Sequence, residues 1–428
     1  MGRIRFVNNF ESQVVGSVAP GATQLTLNDA TPLGTLPPGD YYRATLSNSS
    51  AFEVVLVTGI TGNLLEVIRA QESTLPLAYS TGDLLQIRDT AGTLDEFVQY
   101  NDVSWVGRNL VVNGAGRVFQ RAVGSPIATT KSAALFGPDR FRGYAPVGVM
   151  DTGTITQGTG VPVGKTGCAA KFEGVTSVWG GQLAFLYRLE GADACRLKGS
   201  LGSLSALVFQ DSGQPVSVTC SLSRPTGLDN FAALTPLFTG TPVSLPTAIG
   251  KRLTQEGIDF SAFQPELGLE IQVLLEFGAV TNANFYLTDL QLEVGARATP
   301  FEYKSFFAER NHCLRYYEHS VPYGVVPWAT GLGANTPLLV RAGSPSGAHY
   351  FMHCQRFLVE KHHNPTLNLR AEDTGELNRI SFYNAAGAFV ERLAPESVSV
   401  SKTAFLLKRS LGSNYVTAAF HYAAEAEL

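Results

Sequence analysis

A chain of 428 residues exceeds what one ordinary core holds, so two to four domains are expected. Hydrophobic residues at 44% exclude a disordered protein, while charged residues at 16%, against about 25% in typical domains, leave little with which to coat a large free surface. With 32 Lys and Arg against 36 Asp and Glu the formal charge is −4, which offers no basic footprint, and nucleic acid is not expected as a partner. Forty-three glycines, 22 prolines and only three methionines point to a turn-rich β protein. The five cysteines (Cys168, Cys195, Cys220, Cys313, Cys354) are scattered and odd in number, so they read as reduced thiols. MGRIRFVNNF has no apolar signal region, and no segment approaches the roughly 18 apolar residues of a membrane helix; synthesis in a cytoplasm without membrane insertion is expected.

Residues 1–90 read as short strands. Leu25 and Leu27 alternate with polar residues, Pro37-Pro38-Gly39-Asp40 breaks the chain before Tyr41 to Leu46, and the runs Phe52 to Val57 and Leu64 to Ile68 flank Thr61-Gly62-Asn63 as a hairpin would. Thr93-Leu94-Asp95-Glu96 has capping-box spacing, with Leu94, Phe97 and Val98 on one face of a short helix; 91–108 is read as this helix and a linker. From 109 to 304 alternation is strict. Val216 to Ser223 and Leu267 to Phe277 are half-buried antiparallel strands, and the phase slips near Thr288-Asp289, which predicts a β-bulge. A jelly roll or β-sandwich is expected there. All seven histidines (His312, His319, His349, His353, His362, His363, His421) follow position 311, which suggests a boundary near 305. A helix is predicted from Ser305 to about Tyr317, then strands around Leu367/Leu369, Val398/Val400 and Tyr415 to Tyr422. The fold class is therefore mainly β: a small N-terminal β domain, a central antiparallel jelly roll and a β-rich C-terminal domain over 305–428, with short connecting helices.

Catalytic signatures are missing. Gly160-Val161-Pro162-Val163-Gly164-Lys165-Thr166 misses the phosphate-loop pattern, because Thr159 stands where its first glycine belongs, and a turn between strands is the better reading. No G-x-S-x-G occurs. Asp289 and Glu293 share a strand face with Gln291, read as solvated, and no enzymatic activity is expected. His349, His353, Cys354, His362 and His363 lack any metal-site spacing, so neither metal nor cofactor is expected. Trp179, Tyr323, Trp328 and Tyr350 are the candidate carbohydrate-binding residues, since aromatic rings stack on the apolar faces of sugars; core filling is the competing explanation.

Several stretches resemble a known family. Asn109-Leu110 with Asn113-Gly114 and Gln120-Arg121 is similar to the opening of a jelly-roll module of bacteriophage tail fibres, and Asp139-Arg140-Phe141 to its D-R-W step, with Phe141 in place of the tryptophan. Thr288-Asp289-Leu290-Gln291-Leu292-Glu293-Val294 through Thr299-Pro300-Phe301-Glu302 resembles its closing signature. Cys313-Leu314-Arg315-Tyr316-Tyr317-Glu318 resembles C-x-R-Y-Y-E, and Ala424-Glu425-Ala426-Glu427-Leu428 the A-x-A-E-L ending of such fibres. The opening and closing strands also resemble jelly-roll carbohydrate-binding modules, but Ala115 replaces their aspartate and Asp289 is the one matching acid for their structural calcium. Gly21 to Thr26, Gly39 to Tyr42 and Ile68 to Glu72 resemble the small β domain by which some fibres attach to the tail.

The resemblance implies a tail fibre or receptor-binding protein of a phage virion. It would be a homotrimer, attached to tail or baseplate proteins through residues 1–100 and binding a host cell-surface glycan or other receptor through its jelly roll and tip. The alternatives are a polysaccharide depolymerase and a purely structural baseplate or fibre adaptor.

Overall fold

The computed structural model describes residues 4–37, 39–96, 107–126, 134–147, 150–327, 338–341, 349–412 and 414–428. The chain forms two compact units, Met1–Val103 and Ser104–Leu428.

The first unit contains β1 (Ile4–Arg5), β2 (Glu11–Val15), β3 (Gln24–Leu27), β4 (Tyr41–Ser47), β5 (Phe52–Thr61), β6 (Leu64–Gln71) and β7 (Leu84–Gln86). They pair in the order β1-β4-β5-β6-β3-β2-β7, and β7 returns to β4. Six strands thus close into a small barrel, which removes the free edges of an open sheet. Gly62 at φ 60° and Asn63 make the β5–β6 turn where the sequence places it. Alternate residues, among them Val14, Leu25, Leu27, Leu46 and Val55, fill the interior. Arg69 on β6 clamps the buried Glu53 carboxylate with two bonds of 2.8 and 2.6 Å, and Glu53 also accepts from the backbone N–H groups of Ala70 and Leu77. Helix α1 (Ala91–Glu96) begins three residues earlier than the capping-box spacing predicts. The Thr90 hydroxyl accepts from the Thr93 N–H at 3.2 Å, so Thr90 caps and Thr93 is buried inside the helix. Phe97 and Val98 lie outside the described residues.

The second unit opens with β8 (Ser125–Pro126), β9 (Leu135–Phe136), β10 (Phe141–Tyr144), β11 (Thr152–Thr159), β12 (Cys168–Ser177), β13 (Gly181–Leu189), the helical turn α2 (Gly191–Ala194), β14 (Leu201–Gln210), β15 (Val216–Gly227), β16 (Asn230–Thr239), β17 (Val243–Leu245), β18 (Lys251–Asp259), β19 (Leu269–Phe277) and β20 (Val280–Val294). Two antiparallel sheets result, ordered β16-β15-β19-β13-β10-β9 and β18-β14-β20-β12-β11-β8, with β17 beside β15. Their inward residues, including Phe172, Phe185, Leu222, Ile271, Phe285 and Leu287, share one core, which makes a β-sandwich. The near-miss phosphate loop is the turn joining β11 to β12. Ser205 pairs with Gln291 but Leu207 with Thr288, so the β14–β20 register shifts where the alternation slips, and Asp289 sits at φ 49° inside the resulting bulge.

The remainder contains α3 (Phe306–Cys313), β21 (Tyr317–His319), β22 (Leu338–Arg341), β23 (His349–Arg356), β24 (Thr366–Ala371), β25 (Ile380–Tyr383), β26 (Phe389–Leu393), β27 (Ser397–Val400), β28 (Ala404–Leu411) and β29 (Thr417–Glu425). Ser305 caps α3, its side chain accepting from the Ala308 N–H. Strand β29 pairs with β21, β22, β24 and β25, and a second sheet runs β23-β28-β27. Phe351, Phe382, Phe405 and Phe420 join the two sheets in a separate core.

Candidate functional site

The motif residues scattered along the sequence converge in the second unit. Glu302 accepts the backbone N–H groups of Gly107 and Asn109 at 2.8 and 2.7 Å, and the Asn109 side chain bridges to Val111, Leu290 and Leu292, tying the first strand of the sandwich to its last. Asn113 donates to the carbonyls of Val118 and Asp139. Gln120 donates to both Asp139 oxygens, through its backbone at 2.9 Å and its amide at 2.6 Å, and its amide also reaches the Tyr317 carbonyl. Arg121 lies between the rings of Phe136 and Tyr317, 4.2 and 4.1 Å from their centroids. Arg140 stacks on Tyr316 at 3.4 Å and pairs with Glu427 at 2.5 Å. Arg315 holds Glu190 with bonds of 2.7 and 2.9 Å.

Burial raises the Asp139 carboxyl to about 6, even with Arg121 nearby. Burial would raise Glu427 as well, but Arg140 and Arg121 outweigh it and hold this carboxyl below the usual range. These groups are enclosed and paired with one another, although Arg121 Nη1, Arg140 Nε and Glu427 Oε1 make no hydrogen bond. They join the sandwich to the C-terminal sheets and leave no exposed reactive group, so the arrangement is a structural junction.

The face carrying Asp289, Gln291 and Glu293 is not solvated, as the alternation suggests, but buried, at 4, 0 and 1% exposure. The segment Thr299–Glu302 folds back over it. Thr299 donates to Glu293 through its N–H and hydroxyl at 2.8 and 2.6 Å, and the Glu302 N–H donates to Gln291 at 2.7 Å. The calcium of the resembling modules does not fit here. Ala115 supplies no carboxylate, the Cys168 carbonyl already accepts from the Thr288 hydroxyl at 2.8 Å, and among the described residues no three His, Cys, Asp or Glu side chains are placed to hold a metal ion.

The aromatic candidates are not brought together. Tyr323 is half-buried: its hydroxyl accepts from the Phe119 N–H at 3.0 Å and donates to the Arg117 carbonyl at 3.2 Å, while its ring meets Phe306 edge-on. Tyr350, 73% exposed, stands on β23, and Trp328 lies outside the described residues. Trp179 is 91% exposed in the short turn that carries the chain from β12 in one sheet to β13 in the other. The turn that projects it is tight. The Ser177 hydroxyl donates to the Gly180 carbonyl at 2.9 Å, and Gly180, at φ 77°, lies so close to β19 that a Cβ would stand 2.5 Å from the Phe277 carbonyl oxygen.

At this turn opens a cleft of about 540 Å³, lined by Thr176, Val178, Ser212, Gln214, Thr281 and neighbouring backbone; Val178, not Trp179, is the turn residue in its lining. Its lining carries hydroxyls, an amide and no ionisable side chain. An exposed indole beside uncharged donors and acceptors suits an amphipathic, neutral ring, which offers an apolar face for stacking and hydroxyls for hydrogen bonds. Gln214, Ser212 and Thr281 were not singled out from sequence. The one local signal is Val178-Trp179-Gly180 between two alternating strands, which marks a turn with an aromatic on it.

Fold and loops together define a β-sandwich protein with a polar, uncharged cleft at one group of strand ends, next in sequence to an exposed tryptophan. No protein-family model matches the sequence, and no curated protein matches it. Among solved structures it is similar to the family 22 carbohydrate-binding module of Clostridium thermocellum Xyn10B, at 12% identity and TM-score 0.27 over 37% of this chain and 89% of that one. It is also similar to the CBM22-1–CBM22-2 tandem domain of Paenibacillus barcinonensis Xyn10C, at 11% identity and TM-score 0.27 over 76% of this chain and 92% of that one. A third similarity is to the enzymatically active domain of tailspike protein 4 of bacteriophage CBA120, at 11% identity and TM-score 0.25 over 44% of this chain and 21% of that one. At these TM-scores neither the fold described above nor the function proposed below rests on the likenesses.

Proposed function

We propose that the protein is a receptor-binding fibre protein of a phage tail that binds a host surface glycan without cleaving it. The observation that carries this reading is Trp179, almost wholly exposed beside an uncharged polar cleft. A solvent-facing indole in an inter-sheet turn adds nothing to the core, whereas a sugar ring stacked on it covers the apolar surface it presents to water. The fibre-type signature residues support the viral context, because they meet in one enclosed junction and act as one architectural unit.

The barrel of residues 1–100 attaches the protein to the tail, and copies of the chain associate as a homotrimer. Self-association is supported by β23, which pairs only with β28 among the described residues and exposes Tyr350 and Met352. Three weak glycan sites on one assembly gain affinity through linkage alone. Binding without cleavage is supported by the cleft's lack of acids and by the enclosure of Asp289 and Glu293.

The test is adsorption. Purified protein should compete with phage for host cells and scatter light as a trimer, and a Trp179→Ala protein should compete at least about tenfold less well. Unchanged adsorption in the presence of excess wild-type protein removes this reading, and clearing of surface polysaccharide around spotted protein replaces it with a depolymerase.

A further inference from the structure

A second cleft, of about 490 Å³, shares no lining residue with the Trp179 loops. It opens where the first strand region of the sandwich, α2 and α3 meet. Leu110, Val112, Tyr316 and Val359 give it an apolar floor, and Arg196, Lys304, His312 and Asp193 stand around it.

The charges around this cleft do not cancel. Arg315 and Glu190 also line it, but they satisfy each other through two bonds of 2.7 and 2.9 Å. Arg196 donates to the Gly107 carbonyl at 2.6 Å and Lys304 to the Asn109 carbonyl at 2.9 Å. Both acceptors are neutral, and neither cation forms an ion pair among the described residues. Gly107 and Asn109 line the same cleft as the two cations, so the acceptors that hold Arg196 and Lys304 lie on one short segment of its wall. Of the acids that line the cleft Asp193 alone opposes them, Glu190 being held by Arg315; Glu302, which accepts from the Gly107 and Asn109 N–H groups, and Glu309, which accepts from the Asn113 N–H, are not part of the lining. The result is an apolar floor beside a wall with surplus positive charge, matching a ligand that carries both an apolar ring face and a fixed anion.

We propose that this cleft is a second glycan subsite that takes an acidic sugar, a hexuronate unit, with its ring over the Leu110–Tyr316 floor and its carboxylate facing Arg196 and Lys304. The proposal deepens the glycan-binding reading and rests on it for its biological sense, but it names a different place and a different chemistry. The Trp179 cleft is uncharged and suits neutral sugar; this one selects for charge. A receptor polysaccharide with both kinds of residue would engage the two together.

The experiment is ligand-observed NMR titration of the full-length protein with D-glucuronate, D-glucose and inorganic phosphate, which detects weak binding. Glucuronate should bind at least about tenfold more tightly than glucose, since the two share a ring and differ in the carboxylate, and more tightly than phosphate, which has no ring face. Arg196→Glu should weaken glucuronate at least about tenfold, and Asp193→Asn should strengthen it about threefold by removing the opposing charge. Equal binding of glucose and glucuronate overturns the proposal, as does phosphate binding as tightly as glucuronate, or indifference of glucuronate to both substitutions. Trp179→Ala separates the two readings. If host adsorption survives that substitution while glucuronate binding follows Arg196 and Asp193, the Trp179 reading fails and this one stands.

Discussion

Arg140 on the loop entering β10 donates to the Glu427 carboxylate at 2.5 Å, and both side chains are almost wholly buried. The two residues lie 287 positions apart. Arg140 is further fixed by the Arg188 carbonyl and the Tyr316 ring, and Arg121 lies 3.5 Å from the same carboxylate. Glu427→Gln therefore leaves the buried Arg140 guanidinium without its counter-charge, while Arg121 keeps Asp139 and Glu425, and should destabilise the second unit by about 3–5 kcal/mol. Glu425, whose side chain is partly exposed and 3.4 Å from Arg121, should cost less than about 1 kcal/mol on replacement by Ala. Urea denaturation of the two variants measures the contrast.

Trp179→Ala should leave stability within about 0.5 kcal/mol of wild type, since an exposed turn residue contributes little packing. Its effect belongs in adsorption competition, where a tenfold loss corresponds to about 1.4 kcal/mol. A large stability loss would place the indole in a structural role instead.

Gly114 is required by close approach. A Cβ there would stand 2.2 Å from the Leu290 carbonyl oxygen, on backbone that cannot swing aside. The Leu290 N–H in turn donates to the Gly114 carbonyl at 2.9 Å, so relief of the clash breaks that bond. Gly114→Ala should cost about 3 kcal/mol, read as a lower thermal midpoint. A neutral outcome would show that the opening strand moves freely against β20.

Lys361 and Glu318 form a buried pair at 2.5 Å, with Tyr422 and the Leu358 N–H completing the carboxylate's partners. Lys361→Met alone strands a buried carboxylate and should cost about 3–5 kcal/mol. Combining it with Glu318→Gln should recover part of that loss, and a double-mutant cycle by chemical denaturation reads the coupling directly. Additive losses would mean that the two side chains act independently.

His319 is buried against the Gln120 carbonyl, and burial lowers its pKa from 6.5 to about 4. The unfolded chain therefore takes up a proton that the folded one refuses. The contribution is fully present above pH 6.5 and is lost as pH falls toward 4, with a slope of up to about 1.4 kcal/mol per pH unit. Asp139 acts in the opposite direction. Its carboxyl is raised to about 6, so its contribution grows as pH falls from 6 toward its ordinary 3.8. Denaturation midpoints of wild type and His319→Gln at pH 7 and pH 5 separate them: the variant should lose less stability on acidification, or gain some. Identical pH dependence would show that His319 is protonated in the folded state.

The strands around Gly62, the β20 bulge and the helix after Ser305 were all legible, because each is set by a few consecutive residues: a turn glycine, a change of phase, a capping hydroxyl. The start of α1 was misplaced because Thr90 and Thr93 are both competent caps, and burial of Thr93 decides between them. Trp179 was visible as an aromatic, but its exposure was not, since an indole in a β protein is as compatible with the core as with a loop tip. The acidic-sugar cleft was out of reach, because Leu110, Arg196, Lys304 and Tyr316 come from four separate segments.

The sequence by itself determined the β class and the alternation of the sandwich strands, because backbone geometry converts a period of two directly into a strand with two faces. Only the tertiary structure decided which polar residues are interior. Asp289, Gln291 and Glu293 read as a wet face until Thr299–Glu302 covers them, and Asp139, Arg140 and Glu427 read as separate motifs until folding brings them together. A local pattern records which side of a strand a residue occupies. What lies against that side depends on segments hundreds of residues away, whose packing decides whether a charge is hydrated, paired or left to bind.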